Sequence, residues 1–204
     1  MTLEIGMTVS ITCFHTCDNR GTKDEILSKV PFKSNSGNPE WLGKGYYFWT
    51  DVDHHAHIWG QIKPRLGSYV IVKFQIDIEK DDLLDLVGDA GALLFFRKLM
   101  SDYKEHLVKK VRNAKTRTDK SKLEDELSNV SVSTVIQFYR DEKILNYKAM
   151  KSQDINNKKI EGLSYLKGKS EILPFTRHQL VVYEEGKNLL SAPEWHCSKL
   201  KLRF

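Results

Sequence analysis

The sequence predicts an α+β fold, and three features of the chain support this. Residues 1–87 mix strand patterns with short helical patterns. Residues from about 88 to 140 carry apolar side chains at helical spacing, and strand patterns return from about residue 144. Strands at both ends of a chain, with the helices grouped between them, are typical of α+β proteins.

The amino-terminal region predicts two strands on either side of short helices and an aromatic segment. In Thr8 to Cys13, hydrophobic residues alternate with serine and threonine, as in a strand that is buried on one face. Lys23 to Val30 has a helical pattern, and Gly43 to Thr50 predicts a turn that leads into a strand. Asp53 to Trp59 is expected to form a helix capped by its aspartate. Ser68 to Ile78 places apolar residues at every second position and gives the strongest strand signal.

The middle region predicts a helical layer. From Ala92 to Val111, apolar residues recur three or four positions apart and form one stripe on a helix. Further helices are expected over Leu123 to Leu127 and over Ser133 to Arg140. Strands are expected again at Gln179 to Tyr183 and at Ser198 to Phe204.

Composition describes an ordinary globular protein. The 204 residues contain no repeat, proline-rich linker or low-complexity tract, so residues 1–204 are expected to form a single domain. The net charge of +5 is a mild bias toward acidic partners such as nucleic acid. Three cysteines argue against a secreted disulfide framework. With neither a signal-peptide pattern nor a membrane-spanning run, the expected location is the cytoplasm, with no membrane partner.

Three separated segments carry the residues of a candidate site. Cys13-Phe14-His15-Thr16 ends the first strand pattern, and Trp41-Leu42-Gly43-Lys44-Gly45-Tyr46-Tyr47-Phe48-Trp49 precedes a histidine-rich helix. Arg177 to Tyr183 opens the penultimate strand pattern. In this order the segments resemble the ADP-ribosyltransferase superfamily, on the His-Tyr-Glu branch of the poly(ADP-ribose) polymerases and diphtheria-type toxins. The resemblance covers roughly half the chain, and the compact size is similar to small bacterial toxin–antitoxin and phage-defence transferases.

This resemblance implies a split β-sheet core with a helical insertion over about 88–165, and NAD⁺ as the substrate. By position, His15 would bond the 2′-hydroxyl of the adenosine ribose, and the backbone of Thr16 would hold the nicotinamide carboxamide. Tyr47 would stack on the nicotinamide ring. The resemblance also assigns NAD⁺ binding to three further residues: Gly45, His55 and Trp59.

The third motif position, which is usually glutamate in the family, is Gln179 here. Cleavage of the nicotinamide–ribose bond builds an oxocarbenium-like ribose, which a negative charge would stabilise. Glutamine keeps the hydrogen-bonding geometry but loses the charge, so slower cleavage is expected unless another acid lies close. Transfer of a single ADP-ribose is therefore favoured over chain growth. Arg177, two residues earlier on the same face, is a candidate for holding an anionic acceptor.

The segment from Lys104 to Lys122 contains eight basic residues and two acidic ones. Such a segment attracts phosphates and favours nucleic acid, RNA in particular, over protein as the acceptor. Lys109, Lys110 and Arg112 are the candidate acceptor-binding residues, and a solvated helix face is the alternative interpretation. The resulting hypothesis is a mono-ADP-ribosyltransferase that acts as a toxin or anti-phage effector, with an antitoxin protein as a possible partner.

Two other functions stay open from the sequence. One is NAD⁺ hydrolysis with water as the acceptor. The other is a catalytically silent module that binds NAD⁺ or ADP-ribosylated partners, and the glutamine at position 179 is the feature that supports it. The histidines and cysteines show neither CxxC nor HExxH spacing, so no metal site is expected.

Overall fold

The computed structural model describes residues 6–34, 40–62, 68–154 and 177–200, the last without the Leu200 side chain. Its strands are β1 (Thr8–Asp18), β2 (Tyr46–Thr50), β3 (Ser68–Glu79), β4 (Leu83–Asp85), β5 (Ala149–Gln153), β6 (His178–Val182) and β7 (Glu194–Leu200). Its α-helices are α1 (Lys23–Leu27), α2 (His54–Ile62), α3 (Ala90–Arg112), α4 (Arg117–Ser128) and α5 (Val132–Asp141). These strands form one sheet in the order β4-β5-β6-β2-β1-β3-β7, in which β4 and β5 are parallel and the other neighbours antiparallel. The α+β class is confirmed.

Strand β1, inside the sheet, pairs very unequally with its two neighbours. It pairs with β3 along its whole length, from Thr8 opposite Glu79 to Asp18 opposite Tyr69. It pairs with β2 only at Cys13 opposite Thr50 and Phe14 opposite Trp49. Beyond that point β2 stays paired with β6, and Lys33 forms an isolated bridge to Tyr46. The sequence led us to expect a split sheet; among the described residues the sheet stays continuous but opens between β1 and β2.

The helical layer covers one face of β4, β5 and β6. Asp89 accepts a hydrogen bond from the Ala92 N–H group and so caps α3, as Thr116 and Ser131 cap α4 and α5. The Tyr139 hydroxyl donates to the Leu99 carbonyl at 3.1 Å and joins α5 to α3. The apolar stripe of α3 packs with α5 against β4, β5 and β6 through a common core: Phe96, Leu99, Tyr103, Leu107, Val135, Ile136, Leu84, Met150 and Val181. Each large side chain buried there stabilises the fold by about 1.5–3 kcal/mol.

Three sequence predictions differ from the structure. The helical insertion was expected over about 88–165, but α5 ends at Asp141 and Ala149–Gln153 is strand β5; residues 155–165 lie outside the described residues. Strand β7 begins at Glu194, four residues before the expected Ser198, and 201–204 are likewise outside. β4 was not anticipated. β4 and β5 are short and lack a clear alternation of apolar and polar residues. Their strand conformation depends on pairing with neighbouring strands, which a local sequence pattern does not show. Among the described helices, none has the length and apolar character needed to cross a membrane.

Candidate functional site

A cavity of about 680 Å³ lies where β1 and β2 part. Its wall takes residues from both faces of the sheet, because the opening passes between the two strands. His15 and Phe48 line it from one face, and Tyr47, Trp49 and Gln179 line it from the other. This volume is in the range of sites that enclose a small ligand or cofactor.

His15 occupies the gap between the parting strands and is only 6% exposed. Its Nδ1 lies 3.0 Å from the Tyr47 carbonyl oxygen, and its Nε2 lies 3.2 Å from the Phe32 backbone nitrogen. A carbonyl can only accept and a backbone N–H can only donate, so the proton is on Nδ1 and Nε2 is an acceptor. Burial lowers the pKa of His15, and the bond to Tyr47 opposes this shift. The imidazole is therefore neutral at pH 7, and its Nε2 can serve a ligand that donates a hydrogen bond.

Thr16 presents its backbone to the same gap. The Asp51 N–H donates to the Thr12 carbonyl at 3.3 Å, which identifies the edge of β1 that faces β2. Backbone groups alternate between the edges of a strand, so the N–H and C=O of Phe14 and Thr16 face β2 as well. Pairing with β2 stops at Phe14, and the Tyr47 carbonyl, which continued pairing would place opposite Thr16, accepts from His15 instead. The N–H and C=O of Thr16 thus face the cavity, whose wall includes this residue.

The Thr16 side chain is used elsewhere. Its hydroxyl donates to the Ala56 carbonyl at 2.9 Å and joins β1 to α2. The hydroxyl proton is therefore used within the protein, and the backbone N–H and C=O of Thr16 are the groups that face the cavity.

Tyr47 lines the cavity, and its hydroxyl is bonded within the protein. Its hydroxyl donates to the Gly43 carbonyl at 2.8 Å and accepts from the Leu42 N–H at 3.0 Å. Burial raises the pKa of this hydroxyl well above its usual range, so it stays protonated at neutral pH. Both contacts hold the hydroxyl on the preceding loop, which leaves the aromatic face for stacking.

Gly45, expected to bind NAD⁺, has a packing role. A Cβ at this position would meet Val181 Cγ2 at 2.5 Å and the Val182 carbonyl oxygen at 2.7 Å. The absence of a side chain therefore lets the segment before β2 approach β6 closely. Gly45 is not among the described residues that line the cavity.

Gln179 is 9% exposed and forms part of the cavity wall. Trp41 Nε1 donates to its Oε1 at 2.7 Å. An indole N–H can only donate, which fixes the orientation of the amide: the oxygen faces Trp41 and the NH₂ group points elsewhere. Gln179 therefore has N–H donors left for a ligand. Trp41 begins the second motif segment, but the sequence analysis assigned it no role, because only the fold brings it to β6.

The cavity also has an acidic residue that the sequence analysis missed. Asp154 follows β5 and lies on the wall, where its N–H donates to the Arg177 carbonyl at 2.7 Å. Its Oδ2 forms an ion pair with the Arg177 guanidinium at 3.0 Å. That guanidinium carbon lies 5.3 Å from the centroid of the Trp49 ring, a cation–π distance. Arg177, the candidate acceptor-binding residue, is thus held by two internal partners.

The remaining predicted site residues divide between the cavity and the surface. Trp59 lines the cavity, whereas His55 is buried with its ring 5.7 Å from that of Trp49 and is absent from the described wall. Lys109, Lys110 and Arg112 are exposed in the last turn of α3. None of the described residues that line the cavity comes from α3 or α4.

A histidine network ties α2 to β7 and reaches the cavity wall at Tyr69. Asp53 Oδ2 lies 2.7 Å from His196 Nε2 and 3.4 Å from His57 Nε2, and His57 Nδ1 lies 2.9 Å from the Tyr69 hydroxyl. Within the described ranges, no group of three or more histidine, cysteine, aspartate or glutamate residues is placed to hold a metal ion.

Comparison with known proteins gives one relative and no family. No protein-family model and no solved structure matches the chain. An uncharacterized protein from Methanocaldococcus jannaschii is 28% identical over 116 residues, which make up 55% of this chain and 50% of that protein. The chain spans about half the length of this relative.

Proposed function

We propose that the protein is an NAD⁺-dependent mono-ADP-ribosyltransferase. The observation that carries the proposal is the open edge of β1, where a backbone N–H and C=O at Thr16 face a cavity beside His15. Tyr47 and Gln179 lie on the wall of the same cavity. These four residues are the ones that the resemblance to ADP-ribosyltransferases selects from distant parts of the sequence.

The donors and acceptors of the cavity complement those of NAD⁺. A carboxamide has one acceptor and two donors, and the adjacent N–H and C=O of Thr16 match it as a pair. The Tyr47 ring would stack on the nicotinamide. His15 Nε2, an acceptor, would take a hydrogen bond from a ribose hydroxyl in place of the Phe32 N–H. NAD⁺ binding thus requires the segment at Phe32 to move away from His15.

The chemistry would rest on positioning and electrostatics. The bond between ribose C1′ and the nicotinamide nitrogen breaks, and its electron pair stays on nicotinamide, which leaves neutral. The ribose becomes an oxocarbenium ion that takes an electron pair from an oxygen or nitrogen of the acceptor, whose proton passes to water. Neither ring nitrogen of His15 is placed to shuttle that proton, and the Tyr47 hydroxyl is held on the loop. Holding NAD⁺ in a reactive conformation is the role left to these groups.

RNA is the acceptor class that we favour. The basic segment of α3 and α4 is exposed, and the whole chain carries a net charge of +5. Lys109, Lys110 and Arg112 would guide a polyanion by attraction to its phosphates. Such an activity suits a cytoplasmic toxin or anti-phage effector, with an antitoxin protein as the partner that restrains it.

Gln179 supports a second candidate, a module that binds NAD⁺ or ADP-ribose without cleaving it, because a neutral amide stabilises the oxocarbenium ion less than a carboxylate does. One experiment separates the candidates: incubation with NAD⁺ labelled in its ADP-ribose part and a total cell extract, followed by RNase, DNase or protease. Label lost only with RNase supports RNA modification, and label lost only with protease moves the acceptor to protein. Free ADP-ribose without labelled macromolecule indicates a hydrolase. Binding without nicotinamide release indicates the silent module and contradicts the transferase.

A further inference from the structure

We propose that Asp154 supplies the negative charge that Gln179 lacks, and so stabilises the oxocarbenium ion during cleavage of the nicotinamide–ribose bond. This inference rests on the proposed function. It concerns a residue that follows β5, far from the three sequence segments of the candidate site. Nothing in the spacing of those segments points to it.

Strand register places Asp154 next to Gln179. Ser152 on β5 lies opposite Gln179 on β6, and Asp154 lies two residues further on, where its N–H bonds to the Arg177 carbonyl. Residues opposite each other share a face, and so do residues two apart on one strand. Asp154 and Gln179 are therefore diagonal neighbours on one face, about 7–8 Å apart by their Cα atoms. Both lie on the wall of the cavity.

The ion pair with Arg177 holds the carboxylate in place. Asp154 is among the residues that line the cavity, whereas Arg177 is not among the described ones. The Asp154 and Arg177 side chains are 26% and 22% exposed, and the Arg177 guanidinium lies at cation–π distance from the Trp49 ring. The proposal requires the cation that forms on the ribose to lie closer to the carboxylate than to the guanidinium, because the effect of each charge falls with distance.

In the reaction, Asp154 forms no bond. The C1′–nitrogen bond breaks, the electron pair leaves with nicotinamide, and the positive charge that remains is shared by C1′ and the ring oxygen of the ribose. Gln179 would donate its N–H groups to a ribose hydroxyl while Trp41 holds its oxygen. The roles that one glutamate combines in related enzymes would be divided here between an amide that positions the ribose and a carboxylate that provides the charge.

The test is a mutant cycle read as nicotinamide release from NAD⁺ with water as the acceptor. Asp154→Asn keeps the shape and loses the charge, so kcat should fall at least tenfold while KM for NAD⁺ stays within about twofold. Gln179→Glu should raise kcat in the wild type. In the double variant Asp154→Asn/Gln179→Glu, the new glutamate on the neighbouring strand β6 replaces the lost negative charge, and most of the lost kcat should be restored. A structural role for Asp154 predicts no such rescue.

Asp82 provides the matched control. It pairs with a cation, Lys148, at 2.7 Å and is not among the described residues that line the cavity. Asp82→Asn makes the same chemical change outside the cavity and should alter kcat less than threefold.

Three outcomes would overturn the inference: an unchanged kcat in Asp154→Asn, a loss that Gln179→Glu fails to rescue, or an equal loss in Asp82→Asn. If Asp154→Asn does not fold, Asp154→Asn/Arg177→Gln decides instead, because it removes both charges of the pair and leaves neither unpaired. Its kcat should still fall at least tenfold, and an unchanged kcat contradicts the proposal. A wild type that neither binds NAD⁺ nor releases nicotinamide, even with Gln179→Glu, overturns the proposed function and this inference together. If the wild type is active but Asp154→Asn leaves kcat unchanged, the inference is overturned and the proposed function stands.

Discussion

The two edges of β1 differ in their pairing: one is paired along the whole strand, and the other opens on to the candidate site. Along β3 the ladder is unbroken from Thr8 to Asp18, so the backbone groups on that edge have backbone partners. Along β2 the ladder stops at Phe14, and a side chain, His15, bonds the Tyr47 carbonyl in place of a backbone N–H. The interrupted edge leaves a donor and an acceptor at Thr16 for a ligand. The site therefore lies where regular pairing ends.

The difference between the edges is a matter of a few hydrogen bonds. An unpaired buried backbone group costs about 1–3 kcal/mol, and a cavity open to water or a ligand avoids that cost. His15 keeps the strands apart and has both ring nitrogens bonded, so it adds no unpaired buried group. The predictions that follow test this arrangement from the largest expected effect to the smallest.

His15→Ala should lower kcat/KM for NAD⁺ cleavage at least 100-fold. The substitution removes the acceptor for a ribose hydroxyl and also frees the Tyr47 carbonyl, so that the Thr16 N–H can bond to it and close the gap. Nicotinamide release and thermal unfolding are measured together, because closure predicts a folded but inactive protein. His196→Ala, outside the cavity, is the control and should remain active. A His15→Ala variant that keeps more than a tenth of wild-type activity would remove this residue from the site.

Proline substitutions compare the two edges directly. Thr16→Pro removes an N–H that faces the cavity, whereas Cys17→Pro removes one from the ladder with β3. Thr16→Pro should stay folded and raise KM for NAD⁺ at least tenfold, and Cys17→Pro should lose several kcal/mol of stability. Thr16→Ala, which loses only the hydroxyl bond to Ala56, separates the side chain from the backbone and should keep the wild-type KM within threefold. Equal unfolding in both proline variants would contradict the assignment of the edges.

Sequence patterns predicted the long elements because these carry their own periodic signal. In Ser68–Glu79 apolar residues recur at every second position, and in Ala90–Arg112 they recur three or four positions apart. Each pattern is long enough to identify the segment as strand or helix. β5 is five residues long, and its burial depends on β4 and β6 on either side of it and on the helices that pack against it. No local pattern could reveal that.

The same distinction holds for the site. The motif residues His15, Thr16, Tyr47 and Gln179 line one cavity, as does Trp59. Trp41 and Asp154 reach it only through contacts between distant parts of the chain, to Gln179 and Arg177. The glycine of the motif, Gly45, proved to pack against β6, because a resemblance transfers a position without saying whether its role is binding or packing.

The helical layer, unlike the open edge of β1, contributes no described residue of α3 or α4 to the cavity wall. Removing positive charges from α3 should therefore weaken binding of the RNA acceptor and leave NAD⁺ cleavage unchanged. Replacing Lys109, Lys110 and Arg112 by glutamine should lower the labelling of RNA about five- to tenfold at 150 mM salt. The slope of labelling against salt concentration should become shallower, because fewer phosphate contacts form. Lys98→Gln removes one charge near the middle of α3, where Lys98 pairs with Asp102 at 2.6 Å, and serves as the control. RNA labelling that is unchanged in the triple variant would assign the basic segment to a solvated surface.

The smallest expected effect is on stability at mildly acidic pH. Burial depresses the pKa of His15 below the value of about 6.5 in an unfolded chain. As the pH falls through that value, the unfolded chain takes up a proton that the folded protein does not, so the free energy of unfolding decreases. Each unit of depression corresponds to about 1.4 kcal/mol once the pH is below both pKa values. Urea unfolding at pH 7.5 and pH 5.0 should therefore show a larger loss for the wild type than for His15→Gln. The other histidines are common to both proteins and cancel in the difference, so equal losses would mean that His15 titrates normally and that the gap between β1 and β2 is open to water.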